Sequence, residues 1–384
     1  MDVGDKRAIV ATLDVSGCLV AVRFTLKILG IMFWMLPMNG KRVWVSDFLF
    51  KTGLILCIQK LYAHNSIVVF NYHRVRSAYD GPSKFDDRVF DVNVDEFARQ
   101  MKWLKQNTRI LSENDLIDII TTPANNHAKS KTPLVAITFD DGYLDNYSLA
   151  YPVLKSLNIP AFFFVCTSMI TDRRLWWWDI VAYLIKKCPN PYIVLDNQHH
   201  DLPADRSGAI QFFQQALKKL SGAQINQFVQ NLANACEVAY PTTDLQDREL
   251  MNWNQIREMV SSRMTVASHT HTHPVLTSLD NQKLLEELML SKQILEAQTG
   301  HPVLSISYPF GDYCYIPSVV QMIARNCGYR LGFTSSFGVN SLKRIQPLAL
   351  NRIAGHLEKE STVGVMSVLP HLFTRRNASR NMTP

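Results

Sequence analysis

No Cys-x-x-C pair occurs anywhere in the chain. Its seven cysteines, Cys18, Cys57, Cys166, Cys188, Cys236, Cys314 and Cys327, are an odd set at irregular spacing, which argues against a zinc-thiolate site and against a disulfide framework. A reducing, cytoplasmic setting is the expectation. Long apolar runs are also missing. The most hydrophobic stretch, residues 16–38, is broken by Arg23 and Lys27, so it holds too few consecutive apolar residues for a transmembrane span. No small-residue cleavage site follows a short apolar core, so it does not read as a secretory signal. Two readings remain for it: a helix packed on the domain, or an amphipathic segment in peripheral contact with a membrane. Blocks of one charge sign are absent too. The net charge is +7 and the pI about 9.0, but basic residues are interleaved with acids, which excludes a nucleic-acid footprint and leaves a mild attraction to anionic polysaccharide or anionic lipid. There are no tandem repeats, and residues 375–384 have the composition of a disordered tail.

What is present is enough apolar sequence for a large core, 47% of 384 residues, and a rhythm. From residue 66 short apolar runs alternate with helical patterns, as in a βα-repeating fold with a mostly parallel sheet. Seven strands are expected, at 67–70, 134–137, 161–165, 264–267, 303–308, 329–333 and 349–353. Helical spacing predicts a helix over 95–105, with Phe97, Met101 and Leu104 on one face. A second runs through Leu284, Leu288 and Leu295, with Ser278 or Asp280 as N-cap and Gly300 past its end, and a third spans 317–327. Asp145 and Asn146 read as helix caps. Residues 183–250 break the rhythm with polar, helix-prone sequence and read as an insertion. The expected division is an N-terminal helical or amphipathic extension (1–62), a barrel domain (63–356) carrying that insertion, and a C-terminal tail (357–384).

In parallel barrels chemistry collects at the C-terminal ends of the strands. Here five groups fall there: His73, the pair Asp140-Asp141, the triplet His269, His271 and His273, Pro309-Phe310-Gly311, and Arg352. An acid after a strand is often a cap, and a lone histidine is commonly structural. Two adjacent acids between a buried strand and Gly142 need a cation or a proton to offset their repulsion. Imidazoles near a carboxylate suit zinc and its neighbours. Spacing alone leaves open which histidines bind: an extended strand would align all three, a helix only His269 and His273.

These residues resemble the polysaccharide deacetylases, the NodB-homology domain of carbohydrate esterase family 4. TFDDGY (138–143) is similar to the family's first motif and HTHTH (269–273) to its second. FNYHRV (70–75), WWWD (176–179), NWNQIREM (252–259), YPFGDY (308–313) and LNRIAG (350–355) resemble the subgroup typical of bacterial exopolysaccharide clusters. The resemblance implies a distorted (β/α) barrel and metal-dependent deacetylation of an N-acetylated oligo- or polysaccharide. It implies Asp141, His269 and His273 as metal ligands, Asp140 as general base, and a divalent cation: Zn2+ first, with Co2+, Ni2+ or Fe2+ also suited. Tyr308, Pro309 and Phe310 are implied at the substrate, with the Phe310 N–H as an oxyanion donor.

The match departs at two places. The arginine many members carry two residues before the third-motif proline is Ser307 here, and Arg352, on the same predicted rim, is the candidate replacement. The usual Leu-x-His motif has only Leu369-Pro370-His371, beyond the last predicted strand, so His73 is the preferred general acid. Trp176, Trp177 and Trp178 form either a sugar-stacking wall or a hydrophobic plug under the insertion, with Asp179 contacting substrate or standing behind it. Two alternatives to an N-deacetylase stay open, a sugar-binding homologue without turnover and an O-acetyl esterase.

Overall fold

The computed structural model describes residues 40–61, 65–77, 81, 83–122, 132–218, 220, 222–242, 244–245, 249–310, 316–354 and 359–368. The segment 16–38, Gly311, Leu369-Pro370-His371 and the tail 375–384 lie outside the described residues. Seven strands form the barrel: β1 (Ser66–Tyr72), β2 (Leu134–Phe139), β3 (Phe162–Val165), β4 (Thr265–Ser268), β5 (Ser305–Ser307), β6 (Leu331–Phe337) and β7 (Leu350–Ala354). Consecutive strands pair in parallel, and β7 returns to β1 with Ile353 opposite Phe70, which closes the ring. Each of the seven expected runs lies on one of these strands. β1 and β2 are buried at every position, as strands enclosed by helices outside and side chains inside must be.

Side chains fill the interior. Phe162 and Phe164, two residues apart on β3, both reach Phe333 on β6, with ring centroids 5.4 and 5.1 Å apart. Since β3 and β6 are not neighbours, these contacts cross the barrel and make it a packed core. Outside, the helix Val94–Asn107 lays Phe97 against Tyr72 and Phe139, the face its spacing predicts. The helix Asn281–Thr299 starts at Asp280, whose side chain accepts the Lys283 N–H, and ends at Gly300 with φ of 72°. In that left-handed conformation a residue with Cβ is disfavoured.

The structure corrects three expectations. Asp145 does not cap a helix: its backbone is already helical, and its carboxylate accepts Arg74 Nε at 2.6 Å and the Val75 N–H at 3.0 Å. Asn146 instead donates to the His73 carbonyl. The stretch from 357 is not all tail, because the helix Glu360–Val368 is buried along its length and packs on the helix Gly40–Lys51. They meet at Gly364, where a Cβ would lie 2.8 Å from the Phe50 ring. The insertion is more than helices. Between Trp177–Lys187 and Ser207–Leu217 stands an antiparallel hairpin, Tyr192–Leu195 with Gln198–Asp201. Its two-residue turn places Asp196 and Asn197 at positive φ, the turn that matches strand twist. The hairpin and the helices Trp177–Lys187, Ser207–Leu217 and Gly222–Cys236 share a core of their own. Among the described residues no helix is long and apolar enough to cross a membrane.

Candidate active site and metal centre

β2 ends at Phe139, and the next two residues carry the acids. Asp141 and Gly142 both take positive φ, 76° and 73°, so the chain turns sharply and the Asp140 and Asp141 carboxylates leave the strand in different directions. Thr270, His273 and Phe310 also have positive φ, 67°, 61° and 51°. Four non-glycine residues in this sparse region thus gather around one rim, where the surrounding structure must hold a backbone that is costly on its own.

Asp141, His269 and His273 converge: their candidate ligand atoms lie within 4.8 Å of one another. Asp141 Oδ1 is 3.4 Å from His269 Nε2 and 3.6 Å from His273 Nε2, and the two Nε2 atoms are 3.2 Å apart. His269 Nδ1 lies 2.8 Å from the Ser307 carbonyl oxygen, which can only accept, so the ring proton sits on Nδ1 and Nε2 presents a lone pair. Burial pushes the His273 pKa down to about 3, keeping that ring neutral. Two imidazole nitrogens and a carboxylate oxygen form a donor set that fits a divalent cation such as zinc. His271 faces away from this group, its Nδ1 2.8 Å from Thr167 Oγ1.

Asp140 points into the barrel and is gripped there. Arg352 Nη1 donates to Oδ1 at 2.9 Å and Nη2 to Oδ2 at 2.7 Å, while Asn71 Nδ2 and Ser307 Oγ each lie 3.3 Å from Oδ2. Arg352 is itself fixed by the Thr334 carbonyl and Asn71 Oδ1. Burial alone would raise the Asp140 carboxyl, but the Arg352 guanidinium outweighs it and holds the pKa far below the usual carboxylate range. Arg352, 1% exposed at its side chain, therefore positions Asp140.

His73 lines the same cavity. Its backbone N–H and Nδ1 both approach Asp91 Oδ2, at 2.5 and 3.5 Å. Burial works against a charged ring, but the Asp91 carboxylate and, behind it, Asp141 and Asp140 push its pKa up to about 9. Tyr308, Phe310, Trp177 and Trp178 are on the cavity wall. Pro309 is buried and Asp179 wholly so, and neither lines it; the reading of these two as substrate contacts is corrected. Asp179 accepts the Tyr143 hydroxyl and the Asp86 N–H, and Tyr143 in turn accepts Trp178 Nε1, so Asp179 braces the wall from behind. Burial raises its pKa to about 7. Trp176 is buried and stacked on Trp178, and Trp178 faces the cavity. Asn71 was missed in the sequence, although an asparagine inside the apolar run before His73 is itself a signal.

The family model for polysaccharide deacetylases matches residues 127–332, more than half the chain. The chain belongs to the polysaccharide deacetylase family. Among curated relatives, YxkH of Bacillus subtilis is 24% identical over 247 residues, 64% of this chain and 59% of that protein. The poly-beta-1,6-N-acetyl-D-glucosamine N-deacetylase of Staphylococcus aureus is 30% identical over 131 residues, 32% of this chain and 43% of that one. The chain thus spans less than two thirds of both relatives. In fold it resembles the Streptococcus pyogenes deacetylase PplD, with a TM-score of 0.52 at 20% identity over 79% of this chain and 99% of that chain. IcaB from Ammonifex degensii scores 0.51 at 21% identity over 79% and 98%. Within this polysaccharide deacetylase chain, Ser307 stands where an arginine was expected and is hydrogen-bonded to Arg352 Nη2 at 2.9 Å. The guanidinium that meets the first-motif acid comes from β7 instead of β5.

Proposed function

We propose that the chain hydrolyses the acetamide of an N-acetylhexosamine unit in a bacterial glycan or glycan precursor, with a divalent cation held by Asp141, His269 and His273. The observation that carries this reading is the adjacency of that donor set to an ionised, arginine-gripped Asp140 at one end of a single cavity. The cation would activate water and polarise the acetyl oxygen. Asp140 is the proton acceptor for the attacking water: Arg352 and Ser307 fix its carboxylate, and Arg352 holds it ionised. The Phe310 N–H, presented by a left-handed backbone, donates to the oxygen that gains charge. His73, kept protonated at neutral pH by Asp91, delivers the proton that lets the amine leave. Trp178, locked by Tyr143, offers a flat face to the sugar ring. The grip of Arg352 on Asp140 favours turnover over a binding-only homologue. Acetate release from N-acetylglucosamine oligomers, with metal content measured on wild type and Asp140→Asn, tests the reading. Loss of release in the variant with metal retained is expected; equal release from both removes Asp140 from its role. An O-acetylated oligomer run in parallel separates amide from ester hydrolysis.

A further inference from the structure

The cavity does not end at the barrel rim. It occupies about 650 Å³ and runs on to a wall formed by the insertion helix Ser207–Leu217 and the turn that carries Arg88. Ligand pockets run to roughly 300–1,000 Å³, so there is room beyond the unit held at the metal centre. The helix has two faces. Ile210, Phe213 and Leu217 enter the insertion's own core. Gln211, Gln214, Gln215 and the capping Lys218 recur at i, i+3, i+4 and i+7 and line the cavity, which the helical repeat places on one stripe.

This wall is built. Gln214 is buried, its Nε2 donating to Asp86 Oδ2 and the Trp178 carbonyl, both at 2.9 Å, and its Oε1 accepting from Arg88. Asp86 accepts Arg88 Nε at 3.2 Å and Nη2 at 3.3 Å. Arg88 is thereby held by one edge, its side chain remains 42% exposed, and Nη1 has no partner among the described residues. Lys218 Nζ likewise has none there. Two cations share one carboxylate, Asp86, on this wall, and Trp178, which touches both His273 and Gln214, lies between it and the metal centre.

We propose that Arg88 and Lys218 recognise an anionic group, a carboxylate or a phosphate, in the moiety linked to the unit deacetylated, so that the chain prefers an acidic or phosphate-bearing glycan to a neutral one. The inference rests on the deacetylase reading only for which unit sits at the metal centre. Full-length protein would be titrated by tryptophan fluorescence with three probes: neutral diacetylchitobiose, a glucuronic acid–N-acetylglucosamine disaccharide, and N-acetylglucosamine 1-phosphate. Acetate release would be followed on the same probes. At low salt one of the anionic probes binds about tenfold more tightly than the neutral one, the scale of one charge-assisted hydrogen bond at a half-exposed site. The anion that gains more identifies the source of the charge, and the gain shrinks as salt rises. Lys218→Gln, an exposed change that leaves the fold intact, removes the gain and leaves neutral binding unchanged, and Arg88→Gln removes the gain as well. Equal affinity for all three probes, or variants that weaken neutral and anionic probes alike, overturns the inference. Anion preference without acetate from any probe supports it and overturns the deacetylase reading; acetate from all three at one KM does the reverse.

Discussion

Replacing Arg352 by methionine keeps most of the side-chain bulk and removes the guanidinium that pairs with Asp140. The two side chains are 1% and 5% exposed, so the carboxylate left behind is buried and its remaining hydrogen bonds, from Asn71 and Ser307, are long. Breaking a buried pair from one side costs about 3–5 kcal/mol, a large share of the roughly 5–15 kcal/mol a domain possesses. The sign with pH follows from the depressed carboxyl. In wild type its stabilising share is complete above the unfolded pKa near 4 and is lost as pH falls toward the folded value. In Arg352→Met burial is no longer offset, the carboxyl rises, and the deficit relative to wild type is largest near pH 7 and shrinks on acidification. Urea unfolding of chelator-treated protein at pH 7 and pH 4, on wild type, Arg352→Met, Asp140→Asn and the double variant, measures this. A double variant more stable than the sum of the singles predicts, by more than about 1 kcal/mol, is expected. Additivity within about 0.5 kcal/mol would refute the coupling. Acetate turnover of Arg352→Met should fall by about a hundredfold, the upper range for groups that orient a reacting side chain.

Three further outcomes follow from the geometry. Asp141→Ala and His269→Ala should each abolish stoichiometric metal by elemental analysis, and chelation of wild type should lower its thermal midpoint, since cation at about a hundred times its Kd adds about 2.7 kcal/mol. His73→Gln should erase the basic limb of the kcat/KM profile. That limb falls at or below pH 9, because the imidazolium is lost as pH rises through the raised pKa and a bound cation offsets part of the Asp141 charge. Gly332→Ala should cost about 1–3 kcal/mol in urea unfolding, because its Cβ would stand 2.4 Å from Tyr308 Oη and 2.7 Å from the Leu348 carbonyl, the second a backbone atom that cannot step aside.

The barrel was legible because each of its strands is a short apolar run between polar helices, and a parallel strand enclosed on both faces has no other way to be written. The convergence of Asp141, His269 and His273 was legible for a similar reason: TFDDGY and HTHTH each put these side chains within a few residues of a strand end, so local sequence fixes local geometry. What local sequence hides is convergence. Gln214 reaches Asp86 across 128 residues of chain, and the amide stripe it belongs to looks like any solvated helix face until the insertion folds over the rim. The hairpin 192–201 was hidden differently. Its Asp-Asn turn and alternating Ile193 and Leu195 are visible, but surrounding helix-prone sequence outweighed a signal only four residues long on each side.

Arg352 shows how the barrel relaxes what a motif demands. Asp140 needs a guanidinium at its inner edge, and a ring of seven strands presents several inward side chains to one point. Asn71 on β1, Thr138 on β2, Ser307 on β5 and Arg352 on β7 all meet within one hydrogen-bonded cluster there. The charge can therefore arrive from β7 provided β5 yields the space, and Ser307 yields it while still donating to the carboxylate. Returning the arginine to β5 is the direct check. Arg352→Ser should lose turnover, and Ser307→Arg added to it should restore at least a tenth of wild-type acetate release. Ser307→Arg alone should be damaging, because two guanidinium groups would compete for one carboxylate in a volume that holds one. If the double variant is as inactive as Arg352→Ser, while both stay folded and keep their metal, the two strands are not interchangeable sources of the same charge, and Arg352 acts through its contacts with Asn71 and Thr334 instead.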